Sequence, residues 1–226
     1  MIWSFYQEVS TILIQEQEYD TLKKSYTGPW EEDYTRRGML WSGAIHNLPE
    51  LPSSSCVLEL GCGNGKTAIP MIQQGWDVIS LDFSSKAVAL CKKAIPDLLH
   101  GQVMIADARW PPFRDSTFDA VFAIHVIAHM YATDRKCVAS EIIRLLRPGG
   151  MLFFCEFSTD DFRFGKGHET EEATFRRGTG IITHYFSEDE VSGLFSGLTA
   201  VSITQHTWLI RVRGCSLMRS EVYGIF

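Results

Sequence analysis

Val57-Leu58-Glu59-Leu60-Gly61-Cys62-Gly63-Asn64-Gly65-Lys66 decides how this chain folds. An apolar run ends at an acid, three glycines follow at alternate positions, and a helix-like segment comes next. A buried strand must stop there, turn sharply and offer bare backbone to a ligand. Glycine permits both the tight turn and the close approach. The helix that follows begins with unspent N–H groups, which suit an anionic group. The arrangement marks a site for a nucleotide-like cofactor.

Spacing narrows the cofactor. A P-loop needs four residues between its glycines before Gly-Lys-Ser/Thr; Lys66 and Thr67 follow Gly65, but the upstream spacing is wrong. A dinucleotide fingerprint reads G-x-G-x-x-G, whereas this turn reads G-x-G-x-G with Asn64 between the last two glycines. The Glu59 carboxylate would repel a pyrophosphate and could accept hydrogen bonds from an ammonium group. An adenosine with a positively charged, amino-acid-like tail fits, and S-adenosylmethionine has that form.

Further along, Trp76 to Ser84 reads as a second strand ending in Asp82, and Val103 to Ala108 as a third ending near Asp107. Ser116 to Ile124 reads as a fourth strand, and Leu145 to Phe154 as a helix end, turn and fifth strand. Each piece also has an ordinary structural reading. The glycine turn alone is a tight strand-to-helix connection, Asp82 a helix cap, Asp107 a loop acid, and Pro148-Gly149-Gly150 a helix stop. Their order, each at an expected strand end, selects the cofactor reading.

Together these stretches resemble the class I S-adenosylmethionine-dependent methyltransferases from about Cys56 to Phe157. The resemblance implies a Rossmann-like α/β fold: a doubly wound seven-stranded sheet, mostly parallel with an antiparallel last strand, plus N-terminal helices. It implies that Asp82 takes both ribose hydroxyls and Asp107 the adenine. The implied cofactor set is Glu59, Gly61, Gly63, Asn64, Gly65, Asp82, Phe83, Asp107, Ala108 and Ile124. S-adenosylhomocysteine would be the product, and no metal is expected. The motifs Gly61 to Lys66, Pro112 to Asp119, His125 to His129 and Arg147 to Gly150 are similar to the wobble-uridine tRNA methyltransferases. Members of that branch work with a small zinc-containing activator protein. Ala128 replaces the first of their two tandem histidines, and the match fades after Phe157.

Composition bounds the rest. At 226 residues, with 45% hydrophobic and 21% charged side chains, the chain suits one domain with a sizeable core. We divide it into an N-terminal helical lid (1–50), a cofactor core (56–157) and an acceptor-side segment with the last strands (158–226). Net charge is −6, which argues against a surface built for nonspecific nucleic-acid binding. A small-molecule acceptor is therefore expected, with tRNA as the alternative and a non-catalytic binding protein as a third reading. No run is long enough to span a bilayer and no secretory signal is visible, so a cytoplasmic location is expected. None of the six cysteines forms a C-x-x-C pair.

Periodicity predicts helices over 4–24, 33–48, 65–74, 85–94, 134–146 and 187–195, with Gly28-Pro29 as a break. Strands are expected over 56–60, 77–81, 102–106, 118–124, 151–157, 199–205 and 217–225. Residues 158–186 are polar, Gly-rich and without steady period, as a functional loop would be. Ser187 and Glu190 have the spacing of a capping box.

Four groups are candidates for catalysis on the acceptor side: His125, His129, His184 and Tyr185. His125 and His129 would share a helix face at this spacing. Arg176 and Arg177 could grip a carboxylate or phosphate. Tyr34, with Arg36 or Arg37, could meet the methionine carboxylate if the N-terminal segment folds over the cofactor. Solvated-lid or packing roles are the ordinary reading of each. Methyl transfer needs in-line approach to the methyl carbon more than a base. Replacing Asp82 by Ala is expected to weaken S-adenosylmethionine binding by about 1–3 kcal/mol through loss of charge-assisted hydrogen bonds. Unchanged affinity in calorimetry would remove Asp82 from the site.

Overall fold

The structure is a computed structural model that describes residues 28–36, 38, 48–95 and 101–226. The helix expected over 4–24, and the candidate Arg37, lie outside the described residues.

Five parallel strands carry the core: β1 (Cys56–Leu60), β2 (Asp77–Asp82), β3 (Gly101–Ile105), β4 (Phe118–Ile124) and β5 (Leu146–Phe157). A long hairpin, β9 (Ser202–Val212) and β10 (Cys215–Ile225), completes the sheet in the order β3-β2-β1-β4-β5-β10-β9. β10 runs antiparallel to both β5 and β9. This is the expected seven-stranded, mostly parallel sheet.

β1 is apolar nearly throughout because both its faces are covered. Successive side chains point to opposite faces, so Leu58 and Leu60 join one core cluster while Val57 joins the other. On the first face, Val121, Leu152 and Phe154 pack with Val138, Ile142 and Leu145 of helix α4 (Ala132–Leu145). On the second, Phe122 stacks on Trp76 at 5.9 Å and Phe153 at 4.7 Å, with Met71 and Ile72 of helix α2 (Ala68–Gln73) beside them. Burying such side chains stabilises the fold by about 1.5–3 kcal/mol each.

Three expectations need correction. Residues 28–36 are helical (α1), although Gly28-Pro29 reads as a break and the helix was expected from Asp33. The local breaker signal is overridden by tertiary contacts of this segment, in which Tyr34 packs over Gly63 and Glu31 accepts from Ser84. Residues 158–186 are not a plain loop. They contain a small antiparallel sheet of β6 (His168–Glu171), β7 (Thr174–Arg176) and β8 (Ile182–His184). Strands of three or four residues are too short to set a visible period. The last two strands run longer than expected, to a turn at Arg213-Gly214, both with positive φ as a hairpin turn demands. Much of this extension faces solvent, so it carries no core pattern. The other helices, α3 (Ser85–Ala94) and α5 (Glu188–Leu194), lie where expected.

Glu59 joins β1 to its neighbours. Its carboxylate accepts a hydrogen bond from Ser80 Oγ at 2.6 Å, with further bonds from Thr67 and the Ala68 N–H at the start of α2. Burial raises its pKa to about 7 against the opposing pull of those bonds. The folded protein thus holds this proton more tightly than the unfolded chain, whose group titrates near 4.5. Stability from this group is present at low pH and falls as pH rises from about 4.5 to about 7. Glu59→Gln should match the wild type near pH 5 and exceed it by about 1–3 kcal/mol at pH 8, read by urea denaturation. A pH-independent difference would contradict this burial.

Candidate cofactor and acceptor site

The hinge between β1 and α2 needs its glycines. Gly61, Gly63 and Gly65 have φ of +70°, +52° and +84°. A Cβ at Gly61 would sit 2.7 Å from Val126 Cγ2, and one at Gly63 would sit 2.9 Å from the Tyr34 hydroxyl. Asp82, at the end of β2, holds the hinge from the side. Its Oδ2 accepts from the Gly63 N–H at 3.0 Å and its Oδ1 from the Ser84 N–H at 2.9 Å. Burial raises the Asp82 pKa to about 6, opposed by these two bonds. Ser84 then caps α3 by accepting from the Ala87 N–H. Asn64 is buried in the same turn and Phe83 is half-buried beside it.

α1 covers this turn. The buried Tyr34 lies over Gly63, and its phenol is pushed up by burial and by the neighbouring Asp82. Glu31 Oε1 accepts from Ser84 Oγ at 3.0 Å and Ser85 Oγ at 3.2 Å, which docks α1 on the start of α3. Tyr34 thus lies at the hinge. Arg36 is not: it pairs with Asp33 at 2.9 Å and its side chain is 62% exposed.

Asp107 sits past the end of β3, with Ala108 buried next to it. Both its oxygens are engaged by Arg109, at 2.7 Å and 3.0 Å, and the buried Arg109 also reaches Asp134 at 3.2 Å. The sequence reading missed Arg109. Its spacing of two from Asp107 was the available signal.

His125 follows Ile124 at the end of β4, with φ +53°. The helical segment after it is a single 3-10 turn, Ile127–His129, so His125 and His129 do not share a helix face. Glu156 organises this corner: its Oε1 accepts from the Val126 and Ala128 N–H groups at 2.8 Å and 2.9 Å. An acid inside the apolar run Leu152 to Phe157 was the sign of it. The His125 ring stacks on Phe157 at 4.3 Å and lies 3.7 Å from Glu156 and 3.3 Å from Glu221. Burial opposes its proton, but contact with Cys155, Glu156 and Glu221 outweighs burial and holds the imidazole well above its ordinary pKa. The ligand atoms of His125, Cys155 and Glu221 lie within 4.8 Å of one another and could hold a metal ion. Cys155 and Glu221 come from β5 and β10, far from His125 in the chain, so sequence spacing does not show this grouping.

His129 is different. Burial lowers its pKa, and Nδ1 lies 2.8 Å from the Ile182 carbonyl. A neutral ring donating from Nδ1 leaves Nε2 as an acceptor. His129 meets Trp30 of α1 edge-on at 4.8 Å, and both line a cavity of about 220 Å³ with Tyr131, Arg176 and Ile181. The structure separates the two arginines expected to act together. Arg176 hydrogen-bonds the Tyr131 hydroxyl at this cavity, whereas Arg177 bonds Thr183 Oγ1 at 3.0 Å. His184 is not free for catalysis: Nδ1 meets Thr174 Oγ1 at 2.8 Å and Nε2 meets Glu190 at 2.9 Å, with 2% of the residue exposed. Glu190 therefore serves His184, and only the Ser187 half of the expected capping box is formed. Tyr185 is buried between Phe164 and Phe175.

Comparison with known proteins places this geometry. A family described as a methyltransferase domain matches residues 58–154, the stretch from the hinge strand through β5. The chain is 31% identical over 171 residues to the tRNA N(3)-cytidine methyltransferase METTL2 of Gallus gallus, covering 68% of this chain and 45% of that protein. It is 36% identical over 142 residues to the tRNA (carboxymethyluridine(34)-5-O)-methyltransferase ALKBH8 of Mus musculus, covering 62% of this chain and 20% of that protein. The chain thus spans about half or less of the length of these curated relatives. Among solved structures, a SAM-dependent methyltransferase from Methanosarcina mazei shares the fold. Its TM-score is 0.61 at 24% identity, over 77% of this chain and 93% of that one. With the glycine hinge, the acid-ended second strand and the reversed last strand all present, the chain belongs to the class I S-adenosylmethionine-dependent methyltransferase family.

Proposed function

We propose that this protein is an S-adenosylmethionine-dependent methyltransferase that acts on a nucleoside of tRNA. The observation that carries the acceptor is the match to tRNA methyltransferases of two kinds, N(3)-cytidine and carboxymethyluridine, across most of the chain. It favours the tRNA alternative over the small-molecule acceptor expected from charge. A net charge of −6 then requires phosphate contacts to come from local cation clusters.

In this reading the adenosyl group lies at the carboxyl edge of β1, β2 and β4. Asp82 keeps lone pairs beyond its two backbone bonds, and these take the ribose hydroxyls. Tyr34 and the glycine turn enclose the methionine end, and Glu59 braces the hinge from within. Asp107, locked by Arg109, sets the adenine side. No helix among the described residues is long and apolar enough to cross a membrane.

Transfer is a direct displacement. The acceptor lone pair forms a bond to the methyl carbon as the sulfonium bond breaks, and S-adenosylhomocysteine leaves. A cytidine N3 and a carboxylate oxygen both present a lone pair without a proton at neutral pH, so neither needs a general base. Positioning carries the rate. His129, which lines the cavity and keeps Nε2 as an acceptor, orients the incoming base.

The test is labelled-methyl transfer into RNA, protein and small-molecule fractions of a cell extract, with extract protein added to supply any accessory subunit. Label should enter RNA of tRNA size and reside in one nucleoside after digestion. Label confined to small molecules or protein would overturn the tRNA reading. His129→Ala should lower transfer about tenfold or more with cofactor affinity retained; an unaltered rate would remove His129 from the acceptor side.

A further inference from the structure

Past the end of β5 the chain turns at Ser158 to Asp161 and gathers a group of cations that the cofactor chemistry does not use. Asp161, wholly buried, accepts from Arg163 Nε at 2.8 Å and lies 3.5 Å from Arg219 Nε. The Arg163 guanidinium stands 3.6 Å from the Phe157 ring centre, and that of Arg219 stands 4.4 Å from the same ring. Arg177, entering from the end of β7, has no carboxylate within 4 Å among the described residues and rests on Thr183.

Charge around this point does not balance. Asp161 serves two arginines. Glu221, the next acid, attracts Arg219 but makes its direct contacts with His125 at 3.3 Å and with the Tyr223 hydroxyl at 2.7 Å. Burial, together with repulsion from Arg163, holds both Arg177 and Arg219 below the usual guanidinium range. Among the described residues one buried Nη of Arg163 has no hydrogen-bond partner, and the hydroxyl of Tyr185, a residue only 1% exposed, has none beyond its contact with the Arg177 guanidinium. The Tyr185 phenol feels the charges of Arg177, Arg163, Asp161 and Arg219 together, so it stands among them. Buried polar groups are normally paired, and an orphaned donor beside surplus cations calls for an acceptor.

We infer that Arg163, Arg177 and Arg219, grouped around the Tyr185 hydroxyl, form a subsite for an oxyanion carried by the acceptor. Guanidinium forks match phosphate and carboxylate alike. The subsite adjoins His125 through Phe157, at the carboxyl edge of the sheet where the acceptor of the preceding section would lie. The inference rests on that reading for the identity of the acceptor, not for the anion chemistry. Two sources supply such a group on a tRNA: a backbone phosphate beside the target nucleoside, or a carboxylate on the base.

Calorimetry on the full chain with S-adenosylhomocysteine bound separates them, using two matched pairs: cytidine 5′-monophosphate with cytidine, and 5-carboxymethyluridine with uridine. The charged member of one pair should bind about tenfold tighter than its neutral partner, since a hydrogen bond to a charged group contributes about that much. A preference in the first pair assigns the subsite to phosphate, and one in the second to a base carboxylate. Arg177→Gln should abolish the preference and Tyr185→Phe should reduce it, while S-adenosylhomocysteine still binds. No preference in either pair, or one that survives Arg177→Gln, overturns the subsite. If the preference holds but wild-type protein never labels RNA, the tRNA reading falls and the subsite stands. RNA labelling without any preference has the opposite meaning.

Discussion

The bond from the Gly63 N–H to the Asp82 carboxylate, 3.0 Å long, ties the glycine hinge to the end of the neighbouring strand. Without it the turn after β1 has no fixed position, because each of its glycines can take many conformations. The same carboxylate orders the Ser84 N–H and so the start of α3. Through Tyr34 and Glu31 it also defines the surface on which α1 rests. The contact is polar and buried, and it brings desolvation with it, visible in the raised pKa of Asp82. That cost is tolerable because both oxygens have donors.

Glu156 does for the turn after β4 what Asp82 does for the turn after β1. A fully buried acid at the end of β5 accepts two N–H groups of the turn after β4 and so holds His125 in a left-handed conformation. His125 then lies between Glu156 and Glu221, and its ring packs on Phe157. Phe157 in turn carries two guanidiniums on its ring. Acids and cations thus interleave at this edge of the sheet. Residues of the second, smaller sheet complete it from the far side, which gives the polar stretch 158–186 a structural purpose that its composition concealed.

Elements with strong local signals were legible. The run Val57 to Leu60, the acid at Asp82 and the turn at Pro148 each announce a strand end by residue type alone, and the parallel core follows from their alternation with helical patterns. Ser187 was legible as a cap for the same reason, since capping is settled within four residues. The 3-10 turn after His125 was not. Its geometry is imposed by Glu156 from another strand, so spacing alone suggested a helix face that does not exist. Nor was the split between Arg176 and Arg177, adjacent in sequence yet directed to different partners by a short strand whose pairing is set by β6 and β8.

What the chain determined by itself is the place and composition of the hinge: alternate glycines between an apolar strand and a helix supply the left-handed backbone and bare Cα atoms that such a turn needs, and both are properties of residue type. What only the tertiary structure decided is the charged edge beyond β5. Arg163, Arg177, Tyr185 and Arg219 come from four separate places in the chain, and His184, which looked available, is consumed by Thr174 and Glu190. Their grouping depends on long-range pairing of β5 with β10 and of β7 with β8. Electrostatic character arises from distance in space, and distance along the chain holds no record of it.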